Sequence, residues 1–226
     1  MARTIRVGLA FADQLTREGR RLLLNSQPDF DVVYEAESGF EVLNNLSSVE
    51  MDVLLIDNRV RSLTGAETIA KYTRRNLSGG EKLPAFLLTG PFDSEQFELE
   101  GIRSGASAVV SEESSPEHLL EVLRESTQTE TSFELSKLCQ FFKRQGIAHS
   151  GNRRWLLRLA NLDEAEQTIL DAIAQGADGS ELKTATNLPQ TKVRWTLDSL
   201  QRRLGLATRS QLALALYEAG LTPNPN

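Results

Sequence analysis

Apolar runs of strand length occupy residues 5–9, 31–35, 53–56, 85–88 and 107–110, most of them rich in β-branched side chains. Between them, apolar positions recur at three- and four-residue spacing over 15–24, 40–46, 66–74, 94–103 and 116–125. A strand pattern followed by a helix pattern, repeated from residue 5 to about 125, predicts a parallel sheet with helices on both faces. Sheets of that kind bind ligands outside the carboxyl ends of their strands. Asp57, Phe11, Ala12, Thr89, Ser111 and Glu112 fall at those ends, so the pattern predicts that they share one pocket.

The pattern changes after residue 126. Residues 127–155 open on Ser, Thr and Gln, continue with an apolar stripe at Phe133, Leu135, Leu138, Phe141 and Phe142, and pass through Gly146 and Gly151. This reads as a linker containing one helix that docks on a neighbouring domain or a second subunit. Residues 156–226 read as helical. Asp163 with Glu166, and Asp178 with Glu181, have capping-box spacing, and Val193, Leu197, Leu200 and Leu204 form a stripe that stops at Gly205. Short helices with tight turns, two of them spaced as a helix-turn-helix, have the geometry of a DNA-reading module. The predicted organisation is an α/β domain over 1–126, a linker over 127–155 and an all-α domain over 156–226.

Charge divides the chain at the same places. The net charge is -6, yet residues 1–126 carry 13 Lys and Arg against 21 Asp and Glu, whereas residues 151–226 carry 9 against 8. An acidic first part argues against nucleic acid binding there, and the near-neutral tail permits it. The lone Cys139 excludes an intramolecular disulfide and a cysteine zinc cage, fits a reducing compartment, and reads as a packed apolar position. No apolar segment has the length of a signal peptide or a membrane span, so the expected location is cytoplasmic. There is no Ser/His/Asp set and no phosphate-cradling glycine loop. His118 and His149 stand in a predicted helix and the linker without metal-ligand company, so neither an enzyme nor a cofactor is expected.

In the tail, Leu162 to Glu166, Ile169-Leu170, Ile173 to Gly176, Glu181-Leu182, Lys192-Val193-Arg194 and Leu200 to Leu206 keep one family's spacing. In the front part the same holds for Leu15, Arg17-Glu18-Gly19, Asp52 to Asp57, Gly65, Leu87-Leu88-Thr89, Gly105-Ala106-Ser107 and Ser115-Pro116-Glu117. Together they resemble a response regulator of the NarL/LuxR type. The resemblance implies a (βα)5 doubly wound, flavodoxin-like receiver followed by a four-helix LuxR-type helix-turn-helix domain. It also implies a DNA-binding transcription regulator. Because one such module buries little surface, tight binding to double-stranded DNA is expected to need a homodimer on two half-sites.

By the same resemblance Asp57 stands at the phosphoacceptor position, with Thr89 beside it. The family places two acidic residues where Phe11 and Ala12 stand, a lysine at Glu112, an aromatic at Val109, and Met-Pro at Val60-Arg61. Without the acidic pair, a magnesium ion that would offset charge between carboxylate and phosphoryl group loses its ligands. Glu112 adds a like charge near Asp57, at a cost on the order of several kcal/mol for an effective dielectric of about 20. Asp13 follows the missing pair and is expected to cap the first helix rather than replace a ligand. Asp57 itself is read either as a phosphoacceptor or as a hydrogen-bond acceptor for loop amides, the second reading being preferred. The expected protein is therefore an atypical receiver controlled without magnesium-dependent phosphorylation. Dimerisation, a small-molecule ligand in the vacated pocket or a protein partner would take its place, with conventional phosphorylation as the alternative.

On DNA, helical spacing and the resemblance point to Lys192, Arg194, Trp195 and Asp198 on the exposed face of the third tail helix, with Val193, Leu197 and Leu200 inward. Arg202, Arg203 and Arg209 are candidates for phosphate contact. Asp198 fits poorly, since a carboxylate must accept from cytosine or repel the backbone. It leaves open a module that pairs with another regulator and no longer binds DNA.

Overall fold

The structure is a computed structural model and describes residues 4–76, 83–91, 95–127, 135–149, 152, 155, 158–159, 162–175, 177 and 179–222. The chain divides into two compact units, Met1–Thr129 and Glu130–Asn226.

In the first unit, strands β1 (Ile5–Ala10), β2 (Phe30–Ala36), β3 (Val53–Asp57), β4 (Ala85–Gly90) and β5 (Ala108–Ser111) form one parallel sheet in the order β2-β1-β3-β4-β5. The helices are α1 (Gln14–Asn25), α2 (Gly39–Asn45), α3 (Gly65–Asn76), α4 (Glu95–Ser104) and α5 (Pro116–Ser126). The fold is the predicted doubly wound one. Alternate residues along each strand face opposite sides. Val7, Leu9, Val53, Leu55 and Leu87 pack with Leu24 of α1 and with Leu119 and Leu123 of α5. Ala10, Leu54, Ile56, Phe86 and Leu88 pack with Val42 of α2, Ile69 and Tyr72 of α3, and Phe97 of α4.

Strand order reverses between β1 and β3, which opens a crevice at their carboxyl ends. All five strands differ from the apolar count by one or two residues at an end, β3 and β5 among them. β3 runs on through Asp57, which pairs in register with Thr89, and β5 is shifted one residue on because Ser111 pairs with Gly90. Polar residues can end a strand when backbone pairing holds them there, and an apolar run does not register this.

The second unit contains α6 (Leu135–Arg144), α7 (Glu164–Ala174), α8 (Gly179–Thr186), α9 (Gln190–Leu204) and α10 (Arg209–Glu218). The helix assigned from sequence to a linker is part of this unit. α6 packs on α10, with the Phe142 and Tyr217 rings 5.6 Å apart between centroids. Cys139 is buried there, and burial raises its thiol pKa against an opposing hydrogen bond from Thr222. The capping box at α7 is complete: the Asp163 carboxylate accepts from the Glu166 amide at 2.8 Å, and Glu166 accepts from the Asp163 amide at 2.9 Å. Its expected repeat at Asp178, and the expected Phe133 of the apolar stripe, lie outside the described residues. α9 stops at Gly205, whose φ of 72° is a left-handed cap that a glycine adopts without strain. Among the described residues no helix is long and apolar enough to cross a membrane.

A bidentate pair ties α5 to the loop before β2. Arg124 donates from Nε to Asp29 at 2.7 Å and from Nη2 at 3.0 Å, while its guanidinium lies over the Phe30 ring. The hydrogen bonds from Arg124 hold the Asp29 carboxyl below its ordinary pKa. A carboxyl with a lowered folded pKa contributes stability above its unfolded pKa and loses it as pH falls through the folded one. The urea stability gap between the protein and its Asp29→Asn variant is therefore expected to be full at about pH 7 and to narrow below about pH 4. A gap that does not change with pH would contradict the assignment.

Candidate functional site

Period-two alternation places Phe11, Asp57, Thr89 and Glu112 on one side of the sheet, continuing Leu9, Leu55, Leu87 and Val110 beyond or at the carboxyl ends of their strands. This register brings the four to one edge of the sheet. Asp57 is only 8% exposed and Thr89 is buried. The Phe11 side chain joins the core cluster under α1 and α5 instead of offering an oxygen. Its carbonyl accepts from Arg17 Nη1 at 2.6 Å, and its amide donates to the Ala36 carbonyl at 3.0 Å. Ala12 is half-buried and carries no donor atom on its side chain.

Asp13 is the N-cap of α1. Its Oδ1 accepts from the Thr16 amide at 2.8 Å and from the Thr16 hydroxyl at 2.7 Å, and these bonds lower its pKa. The carboxylate is committed to the helix start and does not stand in for the missing pair.

Arg59, two residues beyond β3, organises the edge. Its amide donates to Asp57 Oδ1 at 2.7 Å, so Asp57 does accept from a loop amide. Its guanidinium donates to the same carboxylate, from Nε to Oδ1 at 3.3 Å and from Nη2 to Oδ2 at 3.3 Å, and Nη2 also pairs with the Glu112 carboxylate. The Asp57 hydrogen bond, with the charges of Asp57 and Glu112, raises the Arg59 pKa. Arg20 adds a second cation. It donates to the Glu112 carbonyl at 3.4 Å; burial lowers its pKa, and the Asp57 and Glu112 charges oppose that fall.

The like-charge penalty expected between Asp57 and Glu112 is thus offset by an arginine that the sequence analysis did not single out. A charged residue two positions after a strand-terminal aspartate is a signal for this turn, because the aspartate can bond the amide two residues on while the side chain folds back. Read along the sequence alone, Arg59 is one more surface charge.

Magnesium demands near-octahedral oxygen donors at about 2.0–2.1 Å. Here one of the two positions for a carboxylate pair holds a core phenyl ring and the other a methyl group, while Asp57 and Glu112 are bridged by a guanidinium. Among the described residues there is also no group of three His, Cys, Asp or Glu that could hold a metal ion. This donor set does not fit the ion that the resemblance implies.

Neighbouring loops are fastened in the same way. Arg17, buried in α1, pairs with Glu35 at 3.2 Å and Glu37 at 3.3 Å. Glu37 also takes Arg61 at 2.9 Å, and the backbones of the two loops exchange hydrogen bonds between Gly39 and Arg61 and between Arg61 and Glu37. Asn58 braces the β3–α3 loop: its amide donates to the Thr89 carbonyl at 2.7 Å, and its side chain accepts from the Ala66 amide at 3.0 Å.

In the second unit, Val193, Leu197 and Leu200 of α9 are buried, and Lys192, Arg194, Trp195 and Asp198 are exposed on the other side. Trp195 is 67% exposed, unusual for an indole. Arg202 is exposed, and its Nε donates to the Asp198 carbonyl at 3.1 Å. Arg203, a candidate for phosphate contact, pairs with buried Glu166 at 2.6 Å and so joins α9 to the capping box of α7. Arg209 is half-buried at the start of α10.

The family model described as the response regulator receiver domain matches residues 12–124. The transcriptional regulatory protein YxjL of Bacillus subtilis is 32% identical over 57% of this chain and 57% of its own length, so that alignment spans little more than half of that relative. The nitrate/nitrite response regulator protein NarP of Escherichia coli is 25% identical over 86% of each chain. Among solved structures, the signal receiver domain of a putative response regulator NarL from Mycobacterium tuberculosis superposes with a TM-score of 0.51 at 22% identity, over 56% of this chain and 98% of that one, and shares the fold of the first unit.

Removing Arg59 leaves two carboxylates facing each other. Since its side chain is 58% exposed, solvent screening holds the expected loss of stability in Arg59→Met to about 1 kcal/mol. Most of that loss is expected to vanish when Glu112→Gln is already present, as measured by a double-mutant cycle in urea. Equal losses in both backgrounds would mean that Arg59 and Glu112 are not coupled.

Proposed function

Because the chain belongs to the response regulator receiver family and its NarL/LuxR-type branch of transcription regulators, we propose that it binds double-stranded DNA as a dimer and is controlled without magnesium-dependent phosphorylation of Asp57. The observation that carries the control mechanism in this reading is the Arg59 guanidinium between Asp57 and Glu112. Acyl phosphate chemistry at a carboxylate needs a cation shared by the acceptor and the incoming group. Here the acceptor's cation is fixed within the chain, bonded to both Asp57 oxygens, and a second carboxylate faces the path of an anionic phosphoryl group. The receiver then acts as a permanently braced scaffold whose output is set by assembly or by a partner.

For DNA, α9 supplies the reader. Lys192 and Arg194 offer donors to guanine, Trp195 an apolar edge to a thymine methyl or a sugar, and Arg202 a phosphate contact. Exposed Asp198 on the same helix supports a second reading, an interaction module that pairs with another regulator and does not bind DNA.

Incubation with acetyl phosphate and magnesium, followed by intact mass, is expected to give no adduct; a stoichiometric phosphoryl group on Asp57 overturns the control mechanism. In gel shifts against genomic fragments at low salt, Lys192→Ala and Arg194→Ala are each expected to cost about 1–3 kcal/mol of specific affinity. Absence of any shift by the unmodified protein at micromolar concentration selects the interaction module instead.

A further inference from the structure

Whatever α9 docks against meets a carboxylate near the centre of the contact. At about 100° per residue, the buried Val193, Thr196, Leu197, Leu200 and Leu204 centre on one side of the helix, and Trp195, Asp198 and Arg202 all fall within about 40° of the opposite direction. All three are exposed, so they form an outward ridge with Asp198 in its middle. Lys192 and Arg194 stand about 80° to either side of that ridge. Asp198 and Arg202 are one turn apart, a spacing that favours an ion pair. The pair is not made. Arg202 directs its Nε to the Asp198 backbone carbonyl at 3.1 Å, and among the described residues the carboxylate has no hydrogen-bond or ion-pair partner. An acceptor pressed against another molecule costs free energy unless a donor meets it there.

We propose that Asp198 is a specificity-determining residue of the reader helix and accepts a hydrogen bond from the N4 amino group of a cytosine in the major groove. An ionised carboxylate only accepts. In the major groove guanine offers two acceptors, thymine an acceptor and a methyl group, and adenine a donor beside an acceptor; cytosine alone offers a donor with no acceptor on the same base. Every other base sets lone pairs against the carboxylate, and misplaced DNA sets phosphates against it. Asp198 thus selects chiefly by penalising wrong sequences. Arg194 lies four residues nearer the start of α9, about 6 Å along its axis, and bases along a strand are about 3.4 Å apart. The cytosine accordingly belongs within about two base pairs of the guanine taken by Arg194.

This inference rests on the DNA-binding reading above and names its sequence requirement. The test is selection of random-sequence duplexes by the full chain at low salt, followed by titration of the enriched duplex. The enriched sites are expected to share a C·G pair within about two base pairs of a guanine. N4-methylcytosine still pairs but carries a methyl group in place of the N–H that faces the groove, and putting it at that position is expected to weaken binding at least about fivefold. The same replacement is expected to leave Asp198→Ala unaffected, and that variant to bind random duplex more tightly than the unmodified chain. Asp198→Asn is expected to transfer the preference from cytosine to adenine, whose N6 and N7 fit an amide. Enriched sites without the shared C·G pair, or an Asp198→Ala variant that gains affinity for every sequence alike and stays sensitive to N4-methylcytosine, overturn the cytosine contact but leave a DNA-binding regulator standing. A chain that enriches no sequence and binds no duplex overturns both.

Discussion

Two carboxylates that face each other over a closed sheet edge need a cation between them, and Arg59 meets that need from within the chain. Asp57 cannot turn away, because β3 ends on it, Thr89 lies in register beside it, and the Arg59 amide holds one of its oxygens. Glu112 is carried toward the same point by its backbone bond to Gly90 at 3.1 Å. Once both are placed, the guanidinium is the group that makes the edge tolerable. Its planar fork can serve two carboxylates at once, which an ammonium does less well. The Asn58 bonds to Thr89 and Ala66 brace the same loop and so hold Arg59 near its partners.

The other arginines extend the arrangement sideways. Arg17 connects the start of α1 to Glu35 and Glu37, and Glu37 passes the connection to Arg61 and the β3–α3 loop. Side-chain ion pairs that are part exposed contribute little one at a time. Their joint effect is geometric: three successive loops at the carboxyl edge are pinned to one another. A pinned edge suits a scaffold better than a switch that depends on these loops moving.

The sheet was legible because its signal is repeated. Five apolar runs separated by helix-period segments admit few other folds, and Leu55 or Leu87 can be assigned to the core from alternation alone. The Asp13 cap was legible because it is a local bond, from a side chain to an amide three residues on. Arg59 was not, because its role depends on Glu112, 53 residues later, being brought to the same point by the fold. Taken without Arg59, Glu112 reads as an unrelieved repulsion; taken with it, Glu112 is half of a bridge. The pairing of Arg203 is hidden for the same reason, since its partner Glu166 is 37 residues away and already engaged in a cap. Residue type and spacing therefore located the edge and the exposed face of α9, while the pairing of charges across the fold decided what each charge does.

A metal ion and an arginine neutralise the same charges with different consequences. An ion exchanges with solvent, so its site can be loaded and emptied, and occupancy can carry information. A guanidinium tethered two residues from its carboxylate has a high effective concentration that does not vary with the surroundings. In the proposed reading this moves the regulated step elsewhere. With its loops braced, the carboxyl edge keeps a fixed face, because Asp13 caps the first turn of α1 and Arg17 anchors that helix to the β2–α2 loop. A face held that rigidly gives up little conformational entropy on association, which favours control through the concentration of copies or partners over control through a covalent mark.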